Sequence, residues 1–307
     1  MSELDRVIKP KTRRAKRFLQ TRESKLTEND KSVMLIKGGN ANMTVTQALK
    51  DLQSLKKPNC LMYKRKNMTR PFEDQTSVEF FSKKCDCSLF VFGSHNKKRP
   101  NNLIFGRMFD FHVLDMIELG MEKFVSLQDV KSSKCPEGTK PLLIFAGDAF
   151  ELNEDYRRLK SLLIDFFRGP VVPAVRLAGL EHVLHFTAVD GKILMRSYKV
   201  LLKKSGCRTP RIELEEMGPS FDFVIRRTHL ASDDLYKLAL KRPKALQARK
   251  KKNISHDTFG TQYGRIHMQK QDLGKLQTRK VKALKKTPAK RRSAEDEESS
   301  PKRSKSE

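Results

Sequence analysis

Nucleophilic, metal or acid–base chemistry needs particular side chains at set spacings, and this 307-residue chain has only a few segments that come near. A phosphate-cradling loop places glycines ahead of Lys-Ser or Lys-Thr at a helix start, so that backbone N–H groups converge. Gly38-Gly39-Asn40 lacks that lysine and reads as a tight strand-to-helix connection. Cys85-Asp86-Cys87 has no second ligand pair at finger-like spacing, so reduced thiols are expected there in place of zinc. Asp148, Glu151, Glu154 and Asp155 surround a helix start, where acids are expected from the helix dipole. His182 and His185 fall on opposite faces of a strand and cannot share a metal. Neither a Gly-x-Ser-x-Gly elbow nor a His-Glu-x-x-His helix is present. The reading is a non-enzyme with no catalytic residue, no metal and no cofactor.

The chemistry that the residues do support is phosphate neutralisation. The chain carries 64 Lys+Arg against 36 Asp+Glu, a net charge of +28, which calls for a polyanionic partner. The candidate contacts are three clusters: Lys97-Lys98-Arg99, Arg226-Arg227 and Arg249-Lys250-Lys251-Lys252. Arg226 and Arg227 end a strand, and strict alternation would put only one of them on a given face. Residue types fit a solvated basic strand end there as well as a phosphate contact. Lys290-Arg291-Arg292 and Lys302-Arg303 flank an acidic patch near the C-terminus and read as a nuclear address. No apolar run is long enough to span a bilayer, and no membrane partner is expected. Five scattered cysteines argue for a reducing compartment.

The elements that would hold these clusters follow from periodicity. Residues 1–31 carry 10 Lys+Arg against 5 Asp+Glu, residues 237–307 carry 22 against 7, and the interval between them carries 32 against 24. Basic ends with sparse apolar residues cannot offset chain entropy. The expected organisation is therefore a basic arm over 1–31, a folded domain over 32–240 and a basic, largely disordered tail over 241–307. Inside the domain, Val33 to Ile36 reads as a strand, a glycine turn follows, and a helix from about Thr44 repeats Leu49, Leu52 and Leu55. The same order recurs as Leu142 to Phe145, Ala146-Gly147-Asp148 and a helix over Glu154 to Phe167. Two strand pairs then correspond, Ser88 to Phe92 with Leu103 to Phe109, and His182 to Val189 with Ile193 to Leu202 around an Asp190-Gly191 turn. Two pseudo-symmetric α/β halves are predicted, about 32–130 and 141–240. An extra helix from about Asp74 to Lys84 belongs to the first half alone. Arg211 to Leu230 is predicted as two short strands around a Gly218-Pro219 turn, and Ser232 as the cap of a helix reaching about Leu240.

Arg211 to Leu230, with its glutamate-rich strand, Gly-Pro, apolar alternation and Arg-Arg, resembles the segment near the end of the Brix domain, a module of ribosome-assembly proteins. Pro71-Phe72-Glu73-Asp74, Phe92 to Pro100, Phe145-Ala146-Gly147-Asp148 and Arg226-Arg227-Thr228-His229-Leu230 extend the likeness. Asp257-Thr258-Phe259-Gly260 and Gly264-Arg265-Ile266-His267 carry it into the tail. The resemblance implies a duplicated fold whose halves are similar to anticodon-binding domains of tRNA synthetases. It further implies a nuclear and nucleolar ribosome assembly factor that binds 5S ribosomal RNA and pre-rRNA. Its implied protein partners are the regulator of ribosome synthesis protein, as a heterodimer, and ribosomal proteins of the 5S particle. Charge alone leaves a nuclear DNA-binding or chromatin protein open, because phosphate contacts carry little sequence information.

Overall fold

Val33, Met34, Leu35 and Ile36 are all fully buried, which a strand achieves only when both faces of its sheet are covered. The computed structural model describes residues 10–21, 26, 28–172, 174–176, 179–246 and 252–276. They fall into two units, one ending at residue 247 and the other starting at residue 248.

In the first unit, helix α1 (Arg13–Thr21) comes first, its start bonded by Thr12 Oγ1, which accepts from Ala15 N. The first half then runs β1 (Val33–Gly38), α2 (Met43–Lys56), β2 (Cys60–Asn67), α3 (Thr76–Cys85), β3 (Leu89–Ser94), β4 (Asn102–Phe109) and β5 (His112–Val125). The second half runs β6 (Leu142–Ala146), α4 (Ala149–Leu152), α5 (Glu154–Phe167), β7 (His182–Val189), β8 (Lys192–Lys203), β9 (Arg211–Glu216), β10 (Ser220–His229) and α6 (Asp233–Ala239). Ten of these strands form one mixed sheet in the order β2-β1-β3-β4-β5-β10-β8-β7-β6, with β9 also on β8. The duplication is visible in the pairings. β1 and β3 are parallel, as are β6 and β7, and each pair continues antiparallel through β4 or β8. The two halves meet where β5 pairs antiparallel with β10. The fold class is mixed α/β, as the periodicity predicts, but the halves share one sheet and one core.

That core lies on the face bearing α2 and α5. Phe105 of β4 packs edge-on against Phe166 of α5 at 5.5 Å and Phe223 of β10 at 6.3 Å, so the apolar cluster spans both halves. A second, smaller cluster on the opposite face joins Met34, Ile36, Phe90, Phe92 and Ile104 to Val78 of α3. The polar bridge between halves is buried Arg107, whose Nε and Nη2 donate to Asp115 at 2.9 and 2.5 Å while Nη1 reaches Asp165 of α5 at 3.1 Å.

Gly218-Pro219 does not reverse the chain. β9 pairs with Tyr198 to Lys203 of β8 and β10 with Lys192 to Met195, so the two strands run collinear along one partner, with the Gly-Pro segment looping out between them. Alternation shows where a strand stops, and only the shared partner shows that it resumes in the same direction. In the second unit β11 (Ile254–His256) and β12 (Gln262–Gly264) form a two-stranded hairpin, where the sequence predicts a largely disordered segment.

Candidate nucleic-acid interface

Loop residues cannot hold a charge in place unless the loop itself is tied down, and Asn42 does this for residues 95–101. Its Oδ1 accepts from Val45 N at 2.8 Å, capping α2. Its Nδ2 donates to Asn101 Oδ1 at 2.7 Å and lies 3.2 Å from His95 Nδ1. Asn96 and Arg99 exchange two backbone hydrogen bonds of 3.1 Å, which closes the loop on itself. Lys97 and Lys98 stand exposed at its tip, and Arg99 turns back toward the sheet.

It meets there a carboxylate that the sequence analysis passed over. Glu118 of β5 is fully buried and accepts from Asn102 Nδ2 at 2.7 Å and from Arg227 Nε. Arg99 Nε lies 3.8 Å from the same carboxylate. Arg226 Nη1 donates to Asn102 Oδ1 at 3.2 Å. Three arginines from two distant stretches of chain therefore converge on one Asn-Glu pair. A buried carboxylate with charged donors is held far more firmly than a surface ion pair.

This geometry overturns the expectation that Arg226 and Arg227 take opposite faces. Opposite β5, Ile225 pairs with Leu119 and Arg227 with Glu118, leaving Arg226 with no partner position of its own. That is a β-bulge, in which two residues oppose one. The extra residue cancels the alternation, and both guanidiniums lie on the face of Asn102 and Glu118. Arg227 also lies over the ring of Phe72, 4.1 Å from its centre. The Phe72 segment, residues 67–73, together with Gly38-Gly39-Asn40 and the 94–99 loop, walls a cleft of about 720 Å³ that includes Lys98, Arg99 and Arg227.

Of the predicted contacts, the structure thus brings Lys98, Arg99 and Arg227 to one cleft, with Arg226 at its floor residues and Lys97 on the loop tip. Lys252 is exposed and belongs to the second unit. Arg249, Lys250 and Lys251, and the nuclear-address residues Lys290, Arg291, Arg292, Lys302 and Arg303, lie outside the described residues. Glu118 had one available signal, an acid inside the otherwise apolar run from Met116 to Leu119. A further basic stretch, Lys64-Arg65-Lys66 on edge strand β2, is exposed throughout. Among the described residues no group of three His, Cys, Asp or Glu side chains is arranged to hold a metal ion. No helix among them is long and apolar enough to cross a membrane.

Residues 38–227 match the Brix domain, and the chain belongs to the Brix-domain family. Within it, the chain is similar to ribosome production factor 2 homologues. The Bos taurus homologue is 77% identical over 303 residues, covering 99% of each chain. The Drosophila melanogaster homologue is 50% identical over 260 residues, covering 84% of this chain and 81% of its own, and the Schizosaccharomyces pombe homologue is 42% identical over 268 residues, covering 84% of each. A solved structure of a probable ribosomal biogenesis protein from Aeropyrum pernix K1 is 8% identical and covers 66% of this chain and 99% of its own at a TM-score of 0.42.

Proposed function

We propose that the protein is a non-enzymatic ribosome assembly factor that binds 5S ribosomal RNA and helps recruit the 5S ribonucleoprotein particle to the large-subunit precursor. The ribosome-biogenesis part of this reading rests on the relatives' shared role. The RNA part rests on one observation: a bulge brings Arg226 and Arg227 onto the same face as Arg99, where buried Glu118 pairs with Arg227 and Arg99 while Asn102, itself bonded to Glu118, accepts from Arg226. Arginines held this way fix register on a phosphate backbone, whereas cations of the tail contribute attraction. The site of action on this reading is the nucleolus.

The test compares binding to 5S RNA and to duplex DNA at matched salt. Replacing Arg249, Lys250, Lys251 and Lys252 with Ala flattens the slope of log affinity against log salt by up to about 3 units if all four meet phosphates of a single strand. Replacing Arg226 and Arg227 changes the slope less and erodes the preference for 5S RNA. Equal affinity for duplex DNA in the wild type would return the protein to the chromatin reading.

The protein partner proposed is the regulator of ribosome synthesis protein, and the surface that suits a protein is the second half of the sheet. Cross-strand neighbours Leu202 and Ile212 are 43% and 64% exposed, and Leu214 beside Val200 is 55% exposed. Leu142 and Ile144 of edge strand β6 continue that face, and the first half covers its equivalent with α3. Hydrogen exchange with and without this partner tests the proposal. Protection of β6, β8 and β9 is expected, and protection restricted to residues beyond 247 would reject it.

A further inference from the structure

Phosphates accept hydrogen bonds and take only donors, yet the cleft beside Arg227 is walled by groups that also accept. Asn40, Asn67, Asn96 and Ser94 line it, each carrying both a donor and an acceptor. Such pairs of groups suit the edge of a nucleobase. We infer that this cleft is a subsite for one nucleotide turned out of the RNA stack, an inference that rests on the RNA-binding reading and adds a base to its phosphates.

The platform for the base is Arg227. Its inner face lies against the Phe72 ring, with 4.1 Å between the guanidinium carbon and the ring centre, and its Nε is tied to Glu118. The plane is thereby set in orientation, while the side chain stays 37% exposed, and it is this exposure that a stacked base would use. The 67–73 segment that carries Phe72 holds a second sign of a ligand. Thr69 lines the cleft, and its Oγ1 is buried with no hydrogen-bond partner among the described residues, a costly arrangement that turning the side chain toward a group in the cleft would relieve. The cavity, about 720 Å³, lies within the range of sites that hold compact organic ligands. Lys98 and Arg99 at its walls supply cations for the flanking phosphates, beside Arg70, whose charge is paired with Glu73 at 2.9 Å. A paired base inside a duplex presents neither its stacking face nor its pairing edge, so only an unpaired nucleotide can use all of these groups.

The experiment uses the full chain and two RNA hairpins with equal numbers of phosphates, one with a fully paired stem and one with a single bulged uridine. Roughly tenfold tighter binding of the bulged hairpin is expected, the scale of one stacked base. Arg227→Lys keeps the charge and loses the plane, and Thr69→Val keeps the shape and loses the hydroxyl. Each shrinks the preference to about twofold while the salt slope holds, since no charge is lost. With 4-thiouridine in the bulge, crosslinks fall on the peptide 67–73. Equal binding of both hairpins by the wild type, or crosslinks confined to residues beyond 247, overturns the subsite and leaves general RNA binding standing. Failure to bind either hairpin overturns the RNA-binding reading itself. Displacement of the 67–73 crosslink by a polyglutamate peptide, with no preference between hairpins, would assign the cleft to an acidic protein segment and also overturn the subsite.

Discussion

Gly120 leaves the space that Arg226 fills: a Cβ on Gly120 would come within 2.3 Å of Arg226 Nε. The guanidinium lies over the bare backbone of β5, and from there Nη1 reaches Asn102. Gly120→Ala should therefore displace a flexible side-chain end and leave the strands where they are. The expected change in unfolding free energy is under about 1 kcal/mol, with 5S RNA binding weakened several-fold. Thermal denaturation beside RNA titration checks this. Unaltered RNA affinity would show that Arg226 serves the sheet and not the RNA.

Glu118 works in the opposite way, as the fixed point. Removing a buried carboxylate leaves its cationic partners uncompensated, which usually costs several kcal/mol. Arg227 and Arg99 are 37% and 43% exposed, so water recovers part of that loss. Glu118→Ala is expected to lower stability by about 2–4 kcal/mol, and Glu118→Gln by less because an acceptor for Asn102 remains. Urea unfolding of the two variants distinguishes them, and a Gln variant as stable as the wild type would mean that the charge is irrelevant.

Arg107 joins the halves through Asp115, Asp165 and Ser161, and its guanidinium lies 5.3 Å from the centre of the Tyr236 ring on α6. Asp115 is 1% exposed and also accepts from Ala231 N, just ahead of α6. Arg107→Met strands that carboxylate, with an expected loss of roughly 3–5 kcal/mol. Limited proteolysis should then cut near residue 232 early. A variant that is destabilised but protected there would show that α6 is held by other contacts, such as Arg158 over Tyr236.

His182 gives the fold a dependence on pH. Burial pushes its imidazole down to about 4 from an ordinary 6.5, and its Nε2 lies 3.0 Å from Ser197 Oγ. The unfolded chain thus binds the proton more readily, so stability rises with pH between these values. The contribution is complete above about 6.5 and is lost as pH falls toward 4, up to roughly 3 kcal/mol. The difference in stability between wild type and His182→Gln across pH 4–7 measures it. A difference that does not vary with pH would remove His182 from the acid response.

Periodicity alone was enough to place β1, α2, β6, α5 and α6 nearly to the residue, and to show that one strand-turn-helix order occurs twice. Each of those features is local: the apolar stripe of Leu159, Leu162, Leu163 and Phe166 repeats at helical spacing whatever it packs on. Composition likewise carries the expectation of a polyanionic partner, because net charge needs no coordinates. The arrangement of the site was not legible in this way. Whether Arg226 and Arg227 share a face depends on one skipped position opposite Leu119 and Glu118, more than a hundred residues earlier in the chain. Whether Gly218-Pro219 turns the chain depends on β8 pairing with both flanking strands. Glu118 is an ordinary strand acid until β4 and β10 close on either side and remove it from water. Register between strands is set by hydrogen bonds and packing across the sheet, and a residue's neighbours in sequence carry no record of them.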